Sequence, residues 1–123
     1  MNTIQKFFNQ QDIKDAVRIG DLDYVFAKAH GNGNLHEVTE FLQEHNIDVL
    51  EYTTKIYPSM FVNSTLLKHV DIPDSVDSIG EDSFKGCTKL MHISLPSGLK
   101  AIFSGAFCGC TSLHEVNFKG TIE

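Results

Sequence analysis

The chain has 123 residues, 41% of them apolar, and carries ten Lys and Arg against sixteen Asp and Glu for a formal charge of −6. That length supports one ordinary domain with a modest core, while the acidic balance disfavours non-specific attraction to nucleic acid phosphates or an anionic membrane surface. No run approaches the roughly 18 apolar residues of a membrane span, and the start MNTIQKFFNQQDIKDAV lacks the order of an export signal, so a cytoplasmic protein without direct nucleic acid or membrane contact is expected.

Up to about residue 52 the apolar residues recur at helical spacing and prolines are absent. Ile4, Phe7 and Phe8 form one stripe, Ile13, Ala16 and Val17 a second, and Leu22, Val25, Phe26 and Ala29 a third. Asp12 is placed to cap a short helix that Gly20 closes, and Asp21 to cap the next, closed by Gly31. After the loop GNGN, Asn34 and Glu37 stand at capping-box spacing, and Leu35, Val38, Phe41 and Leu42 give the apolar face of a helix running to about Asn46. The glycine pair in GNGNLH is not a phosphate loop: no strand precedes it, the third glycine is missing, and the Lys and Ser or Thr of a P-loop have no counterpart.

From about Tyr57 the texture changes to prolines, serines, glycines and short apolar triplets, which divides the chain into residues 1–56 and 57–123 without an obvious linker, as one continuous structural unit. The second part repeats with a period of 23 residues. Phe61, Phe84 and Phe107 align, as do Leu67, Leu90 and Leu113; Val70, Ile93 and Val116; Ile72, Leu95 and Phe118; and Val76, Leu99 and Ile122. Cys87 aligns with Cys110, Pro73 with Pro96 and Ile79 with Ile102. In LMHISL and LHEVNF alternate side chains of a short strand turn inward beneath a leading leucine. One coil cannot bury its own apolar face, so stacked coils must share a core and lay their strands side by side as a parallel sheet. The expected fold is α+β: a short helical N-terminal cap on a solenoid of about three 23-residue coils with a small parallel sheet.

The stretch IPDSVDSIGEDSFKGCTKLMHISLPSGLKAIFSGAFCGCTSLHEVNF closely resembles the BspA-type leucine-rich repeat family, over about residues 57 to 123. The resemblance implies a noncatalytic protein-interaction module. A helical start without a signal peptide is similar to the intracellular or phage-encoded accessory members, which points to a phage or mobile-element protein that binds and inhibits a host protein. Two alternatives are a fragment of a bacterial surface adhesin and a metal-dependent enzyme. The first copy departs from the pattern with Ser64 at the cysteine place, Phe103 stands where the preceding copy has Gly80, and Lys119 replaces a proline.

Register also sorts the candidate sites. Cys87 and Cys110 share an inward slot and are expected to pack as small hydrophobes; three cysteines in all suit a reducing compartment and do not make a zinc knuckle. His69, His92 and Glu115 fall one period apart, as a polar row beside the strands or the ligands of a metal ladder. The row of solvated side chains is the preferred reading, and neither a cofactor nor a catalytic constellation is expected. Asp71, Ser94 and Asn117 lie between the inward strand residues and should form an outward column. With Lys68, His69, Met91, His92, His114 and Glu115 beside it, this column is the expected binding face, for a protein partner with a basic surface. The last copy ends in VNFKGTIE with no capping segment behind it, so a homodimer through the uncapped C-terminal coil is expected too, a truncated longer array being the rival reading.

Overall fold

The structure, a computed structural model, describes residues 2–51 and 53–119. Four helices, α1 (Thr3–Phe8), α2 (Gln11–Ile19), α3 (Leu22–Asn32) and α4 (Leu35–Glu44), precede five short strands: β1 (His69–Asp71), β2 (Ser78–Ile79), β3 (His92–Leu95), β4 (Ala101–Ile102) and β5 (Glu115–Phe118). The chain is α+β, and its packing forms two compact units, Met1–Thr53 and Thr54–Glu123. The division lies ahead of the change of texture at residue 57 because the preceding segment already pairs within the strand-bearing unit. Thr54 C=O accepts from Asp77 N–H at 3.1 Å and Ile56 bridges Ile79 in parallel.

In the helical unit the apolar stripes form the core, with Phe7, Ile13, Val25, Phe26, Val38 and Leu42 at 3% exposure or less. The helix ends differ from the sequence expectation in four places. Gln10, and not Asp12, is the N-cap of α2; Asp12 lies in the first turn, where an anion suits the helix dipole, and its carboxylate is thereby free to reach α3. There it accepts from the Tyr24 hydroxyl at 2.7 Å and from the Lys28 ammonium. Those bonds, Lys28 first, hold the Asp12 carboxyl below its ordinary range. Helix α3 runs through Gly31 and closes on Gly33, whose φ of 77° is the left-handed conformation that lets Asn34 N–H return to Ala29 C=O at 3.1 Å. The capping box at Asn34 and Glu37 does not form: Asn34 precedes α4, but at φ −123° and ψ 27° its side chain makes no cap bond. Helix α4 ends at Glu44 with His45 as C-cap, short of Asn46. A capping box does occur at α1, where Asn2 Oδ1 accepts from Gln5 N–H at 2.8 Å and Gln5 Oε1 accepts from Asn2 N–H at 2.9 Å.

In the second unit β1, β3 and β5 form a parallel sheet in that order, with His69, His92 and Glu115 in register, then Val70, Ile93 and Val116, then Asp71, Ser94 and Asn117. The 23-residue period is thus the register of the sheet. A second parallel ladder joins β2 to β4, pairing Ser78 with Ala101 and Ile79 with Ile102. In the sequence only the alignment of Ile79 with Ile102 marks it, because two residues are too short for an alternating pattern.

Between the two ladders the turns stack as well. Ser59, Phe61 and Asn63 donate N–H bonds to the carbonyls of Glu81, Ser83 and Lys85 at 2.9, 2.7 and 2.7 Å, and Asp82, Phe84 and Gly86 repeat this with Ser104, Ala106 and Cys108 at 3.1, 2.8 and 2.8 Å. Each copy therefore needs two left-handed residues: Ser59, Asp82 and Gly105 at φ 59°, 55° and 70°, and Asn63, Gly86 and Gly109 at φ 57°, 74° and 75°. Phe61, Phe84 and Phe107 stack in a file inside these turns, with ring centroids 5.1 and 5.4 Å apart.

Gly80 has a role other than bending the chain. Its φ is not left-handed; a Cβ there would stand 2.7 Å from Ile56 O and Pro58 N. The glycine admits the preceding backbone, and Gly80 N–H donates to Ile56 C=O at 2.8 Å. Ile122, aligned by sequence with Val76 and Leu99, lies outside the described residues.

Candidate functional site

Strand alternation builds the outward face. Within β1 and β3 the residues Val70, Ile93 and Leu95 are buried, at 4%, 0% and 8% exposure, which forces Asp71 and Ser94 to the other side. The register then sets Asp71, Ser94 and Asn117 in one column and His69, His92 and Glu115 in another.

These columns interact. The His69 and His92 rings lie 6.0 Å apart, tilted by 51°. His92 Nε2 is 3.1 Å from Asn117 Nδ2 and 4.0 Å from Glu115 Oε1. Lys119 reaches back across the sheet to Asp71 Oδ1 at 2.6 Å, a bond that raises its ammonium pKa. This pair links the last strand's end to the first strand, and the sequence reading missed it: only the register shows that Lys119, displaced from its proline, has Asp71 within reach.

Lys68, Met91 and His114 stand at the strand entrances. Lys68 C=O accepts from Met91 and His92 N–H at 2.8 and 3.3 Å, and Met91 C=O from His114 and Glu115 N–H at 3.1 and 3.3 Å. All nine predicted residues therefore lie on or beside one sheet. They form a surface of mixed charge. Among the described residues, no three His, Cys, Asp or Glu side chains come together in a group able to hold a metal ion. Among the described residues no helix is long and apolar enough to cross a membrane.

The inward cysteines are more than small hydrophobes. The Cys87 thiol donates to Phe61 C=O at 3.1 Å, and the Cys110 thiol to Phe84 C=O at 3.0 Å, so each ties its copy to the one before. Burial pushes the Cys87 thiol up to about 11 and raises that of Cys110. Cys108 is exposed.

The third copy differs from the others in cover. Val116 and Phe118 occupy the positions of buried Ile93 and Leu95 yet are 55% and 41% exposed, and in the same copy Ile102 and Phe103 are 48% and 55% exposed. Among the described residues nothing lies over this apolar layer.

A BspA-type leucine-rich repeat region, in six copies, matches residues 34–123. The chain belongs to the BspA-type leucine-rich repeat family. The match starts at Asn34, so the BspA-type pattern extends over α4 as well as the strand-bearing unit. No curated protein and no solved structure matches the chain. Membership speaks for a protein-interaction module, and in BspA-type terms the leucines, phenylalanines and cysteines are committed to stacking.

Proposed function

We propose that this chain is a noncatalytic protein-binding module: residues 57–123 as a solenoid of about three coils, residues 1–56 as its helical N-terminal cap, and the β1–β3–β5 face as the binding surface. On this reading it is a phage or mobile-element accessory protein that works in the cytoplasm and inhibits a host protein by occupying its basic surface. The carrying observation is the two-column polar face, in which Asp71, His92, Glu115 and Asn117 are set at fixed spacing by the sheet register. Strands about 4.7–4.9 Å apart hold such side chains with little rotational freedom, which favours recognition without a cavity. The net charge of −6 supports a basic partner through electrostatic steering. Three free thiols support a reducing compartment.

A homodimer belongs to this reading. A second copy over the last layer would cover Ile102, Phe103, Val116 and Phe118, whose exposure supports it. Light scattering that finds only monomer at micromolar concentration would remove that part and leave the rest.

The binding face is tested by affinity capture from host lysate with the wild type and with an Asp71→Lys, Glu115→Lys double variant. A host protein retained by the wild type and lost from the variant is the expected result. One retained equally by both would take the strand face out of the proposal.

A further inference from the structure

The helical unit holds most of the molecule's charge. Residues 1–53 carry nine Asp and Glu against four Lys and Arg, a balance of −5, whereas residues 54–123 carry seven against six, a balance of −1. Between Lys28 and Lys55 no Lys or Arg occurs, while Glu37, Glu40, Glu44, Asp48 and Glu51 do.

Three of these carboxylates line a groove between α1 and α4, beside the apolar side chains of Ile4 and Phe41. The groove, of about 360 Å³, is lined by Ile4 and Gln5 from α1 and by Glu37, Glu40, Phe41 and Glu44 from α4. A second hollow, of about 510 Å³, lies beyond Phe41, lined by Gln5, Phe8, Asn9 and Phe41. The two share Gln5 and Phe41 and so make one trough. Phe8 stacks on Phe41 with centroids 4.7 Å apart, and Phe41 on His45 at 4.2 Å. Of the α1 stripe only Phe7 is buried, at 3% exposure; Ile4 and Phe8 stay half-exposed in the trough.

The charges are placed against the helix's own interest. Glu40 and Glu44 are like charges at i, i+4, a destabilising spacing, and Glu44 sits in a last turn that holds no basic residue, where the helix dipole repels an anion. Among the described residues, Glu40 alone of the three has an ion-pair partner, His36 Nε2 at 3.3 Å. An incoming cation would relieve both conflicts.

We propose that the α1–α4 trough docks a basic amphipathic helix of a partner protein, with apolar side chains on Ile4, Phe8 and Phe41 and Lys or Arg against Glu37, Glu40 and Glu44. At 1.5 Å rise per residue those carboxylates span about 10 Å, which two turns of a partner helix match. This surface belongs to the helical unit and is carried by observations other than those of the strand face.

The probe is a fluorescein-labelled synthetic 16-residue helix with Leu on one face and Lys on the other, titrated against the full chain by anisotropy and mapped by amide chemical shifts. Binding with shifts concentrated in α1 and α4, weakened roughly tenfold or more by Glu40→Lys with Glu44→Lys and by raised salt, is the expected result. Asp77→Lys with Glu81→Lys, the same change of charge on the other unit, should leave affinity within about twofold. Far-UV circular dichroism checks that the variants are folded; exchange of exposed carboxylates leaves the core untouched. Absence of binding overturns the proposal. So does equal binding of a Lys-only peptide of the same charge, equal weakening by both double variants, or shifts centred on β1–β3–β5.

Discussion

The two halves of this molecule encode structure by different routes. Each helix of the first unit is specified within its own segment, by a 3.6-residue apolar stripe and residues that fit its ends. The shortest strands of the second unit are not specified that way: β2 and β4 have two residues each and β1 has three. Their existence depends on what lies 23 residues before and after. A local error in the first unit should therefore stay local, whereas an error in the second should be felt in neighbouring copies.

The strongest challenge to that contrast is Phe84→Ala. Phe84 is fully buried between Phe61 and Phe107, and its N–H holds Ala106 C=O. Removing a buried phenylalanine costs about 3–5 kcal/mol. Hydrogen exchange should show lost protection at Phe61 and Asn63 as well as at Gly86, because all three amides bridge the same stacked turns. Loss confined to residues 82–88 would mean that the copies are as self-sufficient as helices.

A second test uses pH to address one stacking contact. Cys87 keeps its proton to about 11 when folded, against an ordinary thiol value of 9.0. The unfolded chain gives up that proton first, so the stabilisation is complete below pH 9 and is lost as pH rises towards 11. A shift of this size is worth about 2–3 kcal/mol. Denaturant titrations at pH 8.5 and 10.5 should show a larger fall for the wild type than for Cys87→Ala, since other titrating groups are common to both. Equal falls would show that burial between the copies does not hold the Cys87 proton in the folded state.

Asp21→Ala examines the local side of the comparison. Its carboxylate accepts from Tyr24 N–H at 3.2 Å at the start of α3. Loss of an N-cap costs about 1 kcal/mol, and exchange should accelerate in the first turn of α3 alone. Faster exchange in α2 as well would extend the reach of a cap through Tyr24, whose hydroxyl holds Asp12.

What the sequence disclosed follows the same division. In the helical unit the apolar faces were legible because a face needs only periodicity. The caps at Gln10 and Gly33 were not, because several residues near each end have suitable chemistry and tertiary partners choose among them: Asp12 serves α3 instead of capping α2. In the second unit the parallel register of β1, β3 and β5 was legible in full from three aligned triplets, and with it the nine residues of the candidate face. The β2–β4 ladder, the reach of Lys119 to Asp71 and the α1–α4 trough were not legible. The first is too short to show a pattern, and the other two join residues that no period relates.

The smallest predicted effect separates backbone from side chain within the repeat. Ser59, Asp82 and Gly105 share one left-handed conformation although their residue types differ, so the 23-residue period persists in φ where it has vanished from the sequence. A side chain in that conformation costs about 1–2 kcal/mol, whereas glycine gives back roughly 0.5–1 kcal/mol through the greater freedom of its unfolded state. Ser59→Gly should therefore stabilise the protein by about 0.5–1 kcal/mol, read as a higher denaturant midpoint at unchanged slope. Asp82 is a poorer choice, because its carboxylate occupies the space where a Cβ on Gly105 would stand. If Ser59→Gly lowers the midpoint instead, the serine side chain itself holds the first copy in place, and the conformational repeat is maintained by particular side chains as well as by the stacked hydrogen bonds.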